Sequence, residues 1–408
     1  MSNSLSRIGV VGLGRLGLCQ ALLLDKAGFD VLGCDVFPAY VDSINHRTLT
    51  SSEPGVTELM EQAQKLRATL SLADTIAHAE LILIYVATPT GIGEHAYDCG
   101  DLSRVLDNVA RIGPTDKHVV ICCTVLPGYI ERVGSFLLES CAGCTLSYNP
   151  EFVAQGDIVR GLGAADLVLI GEGSTAAGDQ IQSVHERVCA AYTECLSWEF
   201  KPPKVCRMSP QSAEIAKLAL NCFVTTKIAF GNAVADIADR TPGADKEAIL
   251  NTLGSDKRIG PRCLCPGYGF GGPCLPRDNR AFGSFARSVG IEPFICEATD
   301  KANALHAQSM AQHLLKQDLE RYTLTDVAFK PGCPVPVIEE SQPLEVAKLL
   351  VRAGKIVVIR DRAAIIELVR RTYGRMFEYE IDSGGTDEKH KSGQEDIQMG
   401  NPLSSYNR

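Results

Sequence analysis

The sequence has no long uninterrupted apolar run: the longest, near Leu81 to Ala87, is far too short to span a bilayer. It opens on a short polar stretch, Met1 to Arg7, with no basic leader and no cleavable apolar segment before the run that begins at Ile8. These absences make a soluble cytoplasmic protein the expectation, with no membrane partner. Positive charge is not in excess either. The formal net charge of -9 gives no broad attraction to nucleic acid. The eight histidines form no HExxH-like cluster. Neither Cys141-Ala-Gly-Cys144 nor Cys263-Leu-Cys265 has a second ligand pair at zinc-finger spacing, so no metal is expected. Sixteen cysteines without a secretory leader fit reduced thiols, mostly small core residues, better than a disulfide framework. No repeat at a solenoid period is visible.

What is present is an alternating pattern. With 408 residues, 45% of them hydrophobic, the chain can bury more than one core. The runs Arg7 to Leu13, Asp30 to Asp35, Glu80 to Ala87, His118 to Thr124, Thr145 to Tyr148 and Asp166 to Ile170 read as strands between helix-like segments. This is an α/β pattern with a parallel sheet wound on both faces. Between Pro210 and Thr241 the apolar spacing becomes helical, which predicts a long helix in a helical middle domain. Gly260 to Pro276 is dense in Gly, Pro and Cys and reads as a loop whose backbone is shaped for a ligand. The α/β character then returns, with strand-like Leu324 to Phe329, a helix from Leu344 to Ala353 and strand-like Lys355 to Arg360. From about Asp382 the chain is too polar to offset its ordering entropy and reads as a disordered tail. The expected division is 1–205, 206–310, a shortened 311–381, and a tail of 382–408.

The first strand runs into Gly12-Leu13-Gly14-Arg15-Leu16-Gly17 and then a helix. Gly12 permits the tight turn, Gly14 lets backbone approach a pyrophosphate, and Gly17 allows close helix packing. Asp35 closes the next strand, where a carboxylate accepts from ribose hydroxyls and repels a 2′-phosphate. NAD is therefore expected over NADP. Lys217 and Asn221 lie four apart on one helical face, with Glu214 a turn earlier as an ion-pair partner for the lysine; a solvated polar face explains the same spacing. Cys274 sits in Gly269-Phe270-Gly271-Gly272-Pro273-Cys274-Leu275-Pro276-Arg277-Asp278, where the neighbouring Arg277 favours a thiolate nucleophile. A buried structural cysteine in a tight loop is the other reading.

Together these segments resemble the UDP-glucose/GDP-mannose dehydrogenase family over roughly residues 7 to 361. The matching motifs are Gly12 to Gly17, Thr88-Pro89-Thr90, Thr124-Val125 with Pro127-Gly128, Asn149-Pro150-Glu151-Phe152, Ala213-Glu214 with Lys217 and Asn221, Arg258-Ile259-Gly260, the Cys274 loop, and Ala328-Phe329-Lys330. The resemblance implies an N-terminal Rossmann domain, a central helical dimerisation domain and a shortened C-terminal Rossmann-like domain, in a homodimer or higher homo-oligomer. It implies that Cys274 captures an aldehyde and carries a thioester, and that Lys217 stabilises oxyanion character. Asp278 and Thr124 would organise water and proton transfer, and Glu151 would serve hydrolysis as acid/base. NAD would be held by the glycines, Asp35, Thr88, Thr124 and Gln155. The sugar nucleotide would be held by Glu151, Phe152, Lys217, Asn221, Arg258, Tyr268, Gly269, Gly271 and Lys330.

Three positions depart from the family pattern. Gln155 stands where glutamate is usual, Glu339 replaces an arginine and reverses its charge, and the recognisable third domain breaks off after Asp361. A carboxylate at 339 would weaken NAD binding if it faces the cofactor. The expected reaction is oxidation of a nucleotide-sugar C6 alcohol to the uronate with two NAD, UDP-glucose before GDP-mannose. A ligand-binding relative with impaired turnover is the alternative from another class. A two-electron hydroxyacid dehydrogenase would leave the Cys274 loop unexplained.

Overall fold

The computed structural model describes residues 5–91, 97–382 and 396–397. The chain is an α/β protein of two compact units, Met1–Lys217 and Leu218–Arg408, and the division falls inside the helix Pro210–Ala238. The first unit is built on eight strands: β1 (Arg7–Val11), β2 (Asp30–Cys34), β3 (Arg67–Thr69), β4 (Leu81–Ile84), β5 (His118–Ile121), β6 (Thr145–Tyr148), β7 (Leu167–Gly171) and β8 (Lys204–Met208). Their spatial order is β3-β2-β1-β4-β5-β6-β7-β8. All neighbours pair in parallel except β6 and β7, which meet antiparallel at Tyr148 and Gly171. The chain starts mid-sheet, winds outward to β3 and returns at β4. The order therefore reverses between β1 and β4, where strand ends of such sheets open a ligand crevice.

Strand β4, Leu-Ile-Leu-Ile, is buried throughout, because helices cover both faces of the sheet. Leu81 and Leu83 join one apolar layer with Ile8, Val10 and the helix Arg15–Lys26, whereas Ile82 and Ile84 join the opposite layer with Leu102, Leu106 and Val119. Two strands were not visible in the sequence. β3 has three residues, too few to show alternation, and β8 is a partly exposed edge strand of mixed polarity.

In the second unit, β9 (Arg321–Thr325), β10 (Ile356–Asp361), β11 (Glu378–Ile381) and β12 (Asp396–Ile397) form a parallel sheet in the order β11-β10-β9-β12. Tyr322, Leu324, Val357 and Ile359 pack with Leu344, Ala347 and Leu350 of the helix Gln342–Arg352. The domain does not break off after Asp361. A helix, Ala363–Tyr373, follows and buries Ile365, Ile366 and Val369, and β11 then pairs with β10. Apolar spacing continues there although the motifs stop. The expected tail lies outside the described residues, apart from Asp382 and the pair Asp396–Ile397. That pair aligns with Thr323 and Leu324, a backbone pairing that needs no apolar side chains.

Among the described residues, Pro210–Ala238 is the one helix long and apolar enough to cross a membrane. Half of its most apolar stretch is buried inside the protein. Asn221, Thr225, Thr226, Lys227 and Asn232 interrupt it, so it forms no unbroken apolar run in the sequence.

Ile359 is fully buried on the central strand of the small sheet. Ile359→Ala should cost about 2–5 kcal/mol by transfer and cavity terms, read from urea denaturation. A loss below about 1 kcal/mol would mean that this sheet has no packed core.

Candidate active site

The glycine turn leaves β1 at the point where the sheet order reverses. Gly12 has φ of +87°, and a side chain there would lie 2.6 Å from the Tyr85 carbonyl. A side chain on Gly17 would collide with the carbonyl of Gly12. Gly14 instead faces open space, and the helix Arg15–Lys26 that it caps has no side-chain cap and no acidic residue in its first turn. Its free N–H groups and positive dipole end therefore suit a pyrophosphate. The Asp35 carboxylate accepts from Leu13 N–H at 2.9 Å and Val36 N–H at 2.7 Å. It braces the glycine turn as well as standing at the end of β2, where a ribose reader belongs. These features fit NAD. Arg15 hydrogen-bonds Gln155, so this residue keeps a polar partner at the glycine turn.

The ends of β4, β5 and β6 carry the next group. Thr88 donates its hydroxyl to the Thr124 carbonyl at 2.8 Å, which braces the Thr124 loop. Tyr85, which the sequence did not single out, donates to the Glu151 carboxyl at 3.0 Å. Burial pushes the Glu151 carboxyl up to about 7, against the pull of the Tyr85 hydrogen bond and the Lys217 charge. It can therefore take or give a proton near neutral pH. The loop carrying Glu151 starts at Asn149, whose side chain donates to the Leu169 carbonyl at 2.9 Å and accepts from His185 Nε2 at 2.7 Å. Burial lowers His185 to about 4, which keeps its imidazole neutral.

Lys217 is buried, donates to the Glu151 carbonyl at 2.7 Å, and stands 4.6 Å from the Phe152 ring centre. Glu214 is not its ion-pair partner. Both Glu214 oxygens turn to backbone, accepting from Gly128 N–H at 2.5 Å and Ile130 N–H at 2.8 Å.

In the second unit, Cys274 caps the helix Leu275–Ser288, whose positive dipole end favours negative charge on sulfur. All sixteen cysteines are thiols, and Cys274 and Cys195 are the exposed ones. One turn into this helix Asp278 is buried, accepting from Asn221 Nδ2 at 2.7 Å and Arg277 Nε at 3.3 Å. The structure thus gathers Asn221, Cys274 and Asp278. Side chains on Gly269, Gly271 and Gly272 would collide with Asn303, the Glu340 carbonyl and the Phe329 ring. Here the glycines serve close packing. Asn303 bonds both the N–H and the C=O of Phe270 at 2.9 Å, and His306 donates to the Gly267 carbonyl at 2.7 Å. Tyr268 is buried and its hydroxyl is pushed up to about 12 by that burial.

Arg258 is exposed and paired with Asp256 at 2.6 Å, and Lys330 lies 5.8 Å from the Phe329 ring centre. Glu339 is exposed, and its carbonyl accepts from Gly272 N–H at 3.0 Å. Among the described residues no group of three His, Cys, Asp or Glu side chains could hold a metal.

Because Asp35 braces the glycine turn and ends β2, Asp35→Ala should weaken NAD binding roughly tenfold and narrow the preference over NADP, the loss expected for one or two charge-assisted hydrogen bonds. Parallel NAD and NADP titrations give the ratio. An unchanged ratio would place ribose recognition on another residue.

Comparison with known proteins agrees with this geometry. Residues 6–189 match the NAD binding domain of the UDP-glucose/GDP-mannose dehydrogenase family, and residues 211–305 match its central domain. The chain is 30% identical over 375 residues to UDP-glucose 6-dehydrogenase of Pseudomonas aeruginosa, covering 88% of this chain and 79% of that protein. It is 29% identical over 362 residues to GDP-mannose 6-dehydrogenase of Pseudomonas savastanoi pv. phaseolicola, covering 85% and 79%. The solved UDP-glucose dehydrogenase of the archaeon Pyrobaculum islandicum superposes with a TM-score of 0.81 at 28% identity, covering 94% of this chain and 88% of that one. With a glycine turn fitted to NAD, a buried lysine behind Glu151 and an exposed helix-capping cysteine, the chain belongs to the UDP-glucose/GDP-mannose dehydrogenase family.

Proposed function

We propose that this NAD-dependent nucleotide-sugar dehydrogenase takes UDP-glucose through a four-electron oxidation to the uronate, by way of a thioester on Cys274. The observation that carries the reading is the exposed thiol at the N-terminus of a 14-residue helix, one turn from the buried Asp278–Asn221 pair. An exposed thiol in that position serves a nucleophile. GDP-mannose is the second reading, favoured by the GDP-mannose relatives at comparable identity.

The chemistry divides among the residues as follows. NAD, held at Gly12, Gly14, Gly17 and Asp35, supplies the hydride acceptor for both oxidations. Attack of the Cys274 sulfur on the intermediate aldehyde forms a C–S bond and places negative charge on oxygen, which the Lys217 ammonium stabilises. Loss of hydride from that carbon leaves a thioester. Water attacks it, the C–S bond breaks, and Cys274 departs as thiolate. Glu151, ionising near 7, takes the proton from water. Asp278 and Thr124 order water and proton transfer, and Phe152, Asn221, Arg258, Tyr268, Gly269, Gly271 and Lys330 contribute to sugar-nucleotide recognition. The balance is one alcohol, two NAD and one water giving one carboxylate, two NADH and three protons. We place this activity in the cytoplasm, in a protein of three domains, the last two being 206–310 and 311–381.

A homodimer is part of the proposal. Phe223, Phe230 and Ile237 recur every seven residues along the long helix and are 66%, 58% and 65% exposed, an apolar stripe suited to a second copy.

The test is NADH formation from NAD and a panel of nucleotide sugars, counted per product. Two NADH per uronate from UDP-glucose are expected. Cys274→Ser should abolish steady turnover while leaving NAD affinity within about twofold, since a serine ester leaves poorly and the residue is not among the NAD ligands. One NADH per product, or undiminished four-electron turnover in the variant, would overturn the reading.

A further inference from the structure

Two glutamates that the chemistry above does not use share one geometry in the first unit. Glu53 is 2% exposed and Glu214 is fully buried. Glu53 accepts from Gly156 N–H at 2.9 Å and Ile158 N–H at 2.7 Å. Glu214 accepts from Gly128 N–H at 2.5 Å and Ile130 N–H at 2.8 Å. The receiving segments repeat as well: each is Gly-x-Ile, Gly128-Tyr129-Ile130 and Gly156-Asp157-Ile158. Each glycine is left-handed, with φ of +89° and +86°, and each isoleucine begins a short helix, Ile130–Gly134 or Ile158–Gly163. In neither case does the helix's own N-cap side chain accept from the backbone N–H groups of its first turn. A carboxylate brought from 84 or more residues away does so instead.

Each segment also adjoins residues assigned to the reaction. Gly128 closes the loop that begins at Thr124, whose carbonyl is held by Thr88. Gly156 closes the loop that begins at Asn149, which is anchored by His185 and carries Glu151 and Gln155. Each loop is thus fixed near one end by a side-chain bond, to Thr88 or His185, and at the other by a two-amide carboxylate clamp. A dispersed apolar contact would tolerate sliding of the backbone; two directional, charge-assisted bonds to amides two residues apart do not.

We propose that Glu53 and Glu214 are positioning residues for catalysis, which set the loops bearing Glu151 and Thr124 through paired backbone hydrogen bonds. The proposal rests on the thioester reading above. Glutamine is isosteric but offers one acceptor oxygen and one donor nitrogen to two N–H groups, so one bond is lost and one contact turns repulsive. Hydrolysis, the step assigned to Glu151, should suffer more than cofactor binding.

The experiment uses full-length wild type, Glu53→Gln and Glu214→Gln, with UDP-glucose and NAD. It measures the NADH burst per site, the steady rate per burst-competent site, NAD affinity, and the mass of the denatured protein during turnover. Glu53→Gln should keep NAD affinity and the two-NADH burst, slow steady turnover roughly ten- to a hundredfold, and accumulate the thioester adduct on Cys274, in line with the cost of about 1 Å of misplacement. Glu214→Gln should slow turnover per competent site by a similar factor. A purely structural role would lower the fraction of competent sites and the melting temperature but leave the rate per competent site at the wild-type value, which overturns the proposal. Should Glu53→Gln not fold, Gly156→Ala displaces the same donor while leaving the carboxylate in place, and the same adduct should accumulate. Wild type without a Cys274 adduct and without two NADH per product would remove the thioester reading itself, and this proposal with it.

Discussion

Burying a carboxylate costs several kcal/mol unless hydrogen-bond donors replace the water it loses. The first unit depends on that constraint more than on any single apolar contact. Glu53 and Glu214 are buried and each accepts two backbone amides. Those bonds offset part of the cost of burial, which still pushes the Glu214 carboxyl up, and tie distant stretches of chain into one frame. Glu151 is treated differently. It receives one phenol hydrogen bond, from Tyr85, and the charge of Lys217, whose ammonium donates to the Glu151 main-chain carbonyl. Undersupplied with donors, its carboxyl holds its proton up to about 7. The two clamped carboxylates fix backbone, whereas the third can exchange a proton near neutral pH.

The same economy of polar anchors appears in the second unit. Asn303 pairs with both backbone groups of Phe270, His306 holds the Gly267 carbonyl, and Asn232 accepts from Gly267 N–H at 3.2 Å. The glycine-rich loop before Cys274 is therefore a set backbone, not a slack one. The two sheets also repeat a detail. Asp35, at the end of β2, accepts from Leu13 N–H, and Asp361, ending β10, accepts from Val327 N–H at 2.8 Å. In both places a carboxylate at the end of one strand braces the turn that leaves its neighbour.

How far the sequence revealed this follows the range of each interaction. The glycine turn, Asp35 and the Cys274 loop were legible because strand, glycines and helix lie side by side in the chain. The long helix was legible from its apolar period. The edge strands β3, β8 and β11 were not, since they are short or half-exposed and carry no clean alternation. Glu53 carried no local signal in the sequence, because its partners lie 103 and 105 residues away. Glu214 invited pairing with Lys217, a turn along the same helix, yet two amides 84 and 86 residues back hold it more firmly. Tyr85 closed a strand-like run with nothing to mark it until Glu151 was seen beside it.

The claim at the centre of this account is that burial beside Tyr85 and Lys217 tunes the Glu151 carboxyl for proton transfer at neutral pH. Isotope-edited carboxyl spectroscopy of wild type, Glu151→Gln and Tyr85→Phe across pH tests it directly. The signal absent from Glu151→Gln should titrate near 7 in wild type. In Tyr85→Phe it should move to higher pH, because the lost hydrogen bond favours the ionised form. A carboxyl that titrates in the ordinary glutamate range and does not respond to Tyr85→Phe would contradict the account.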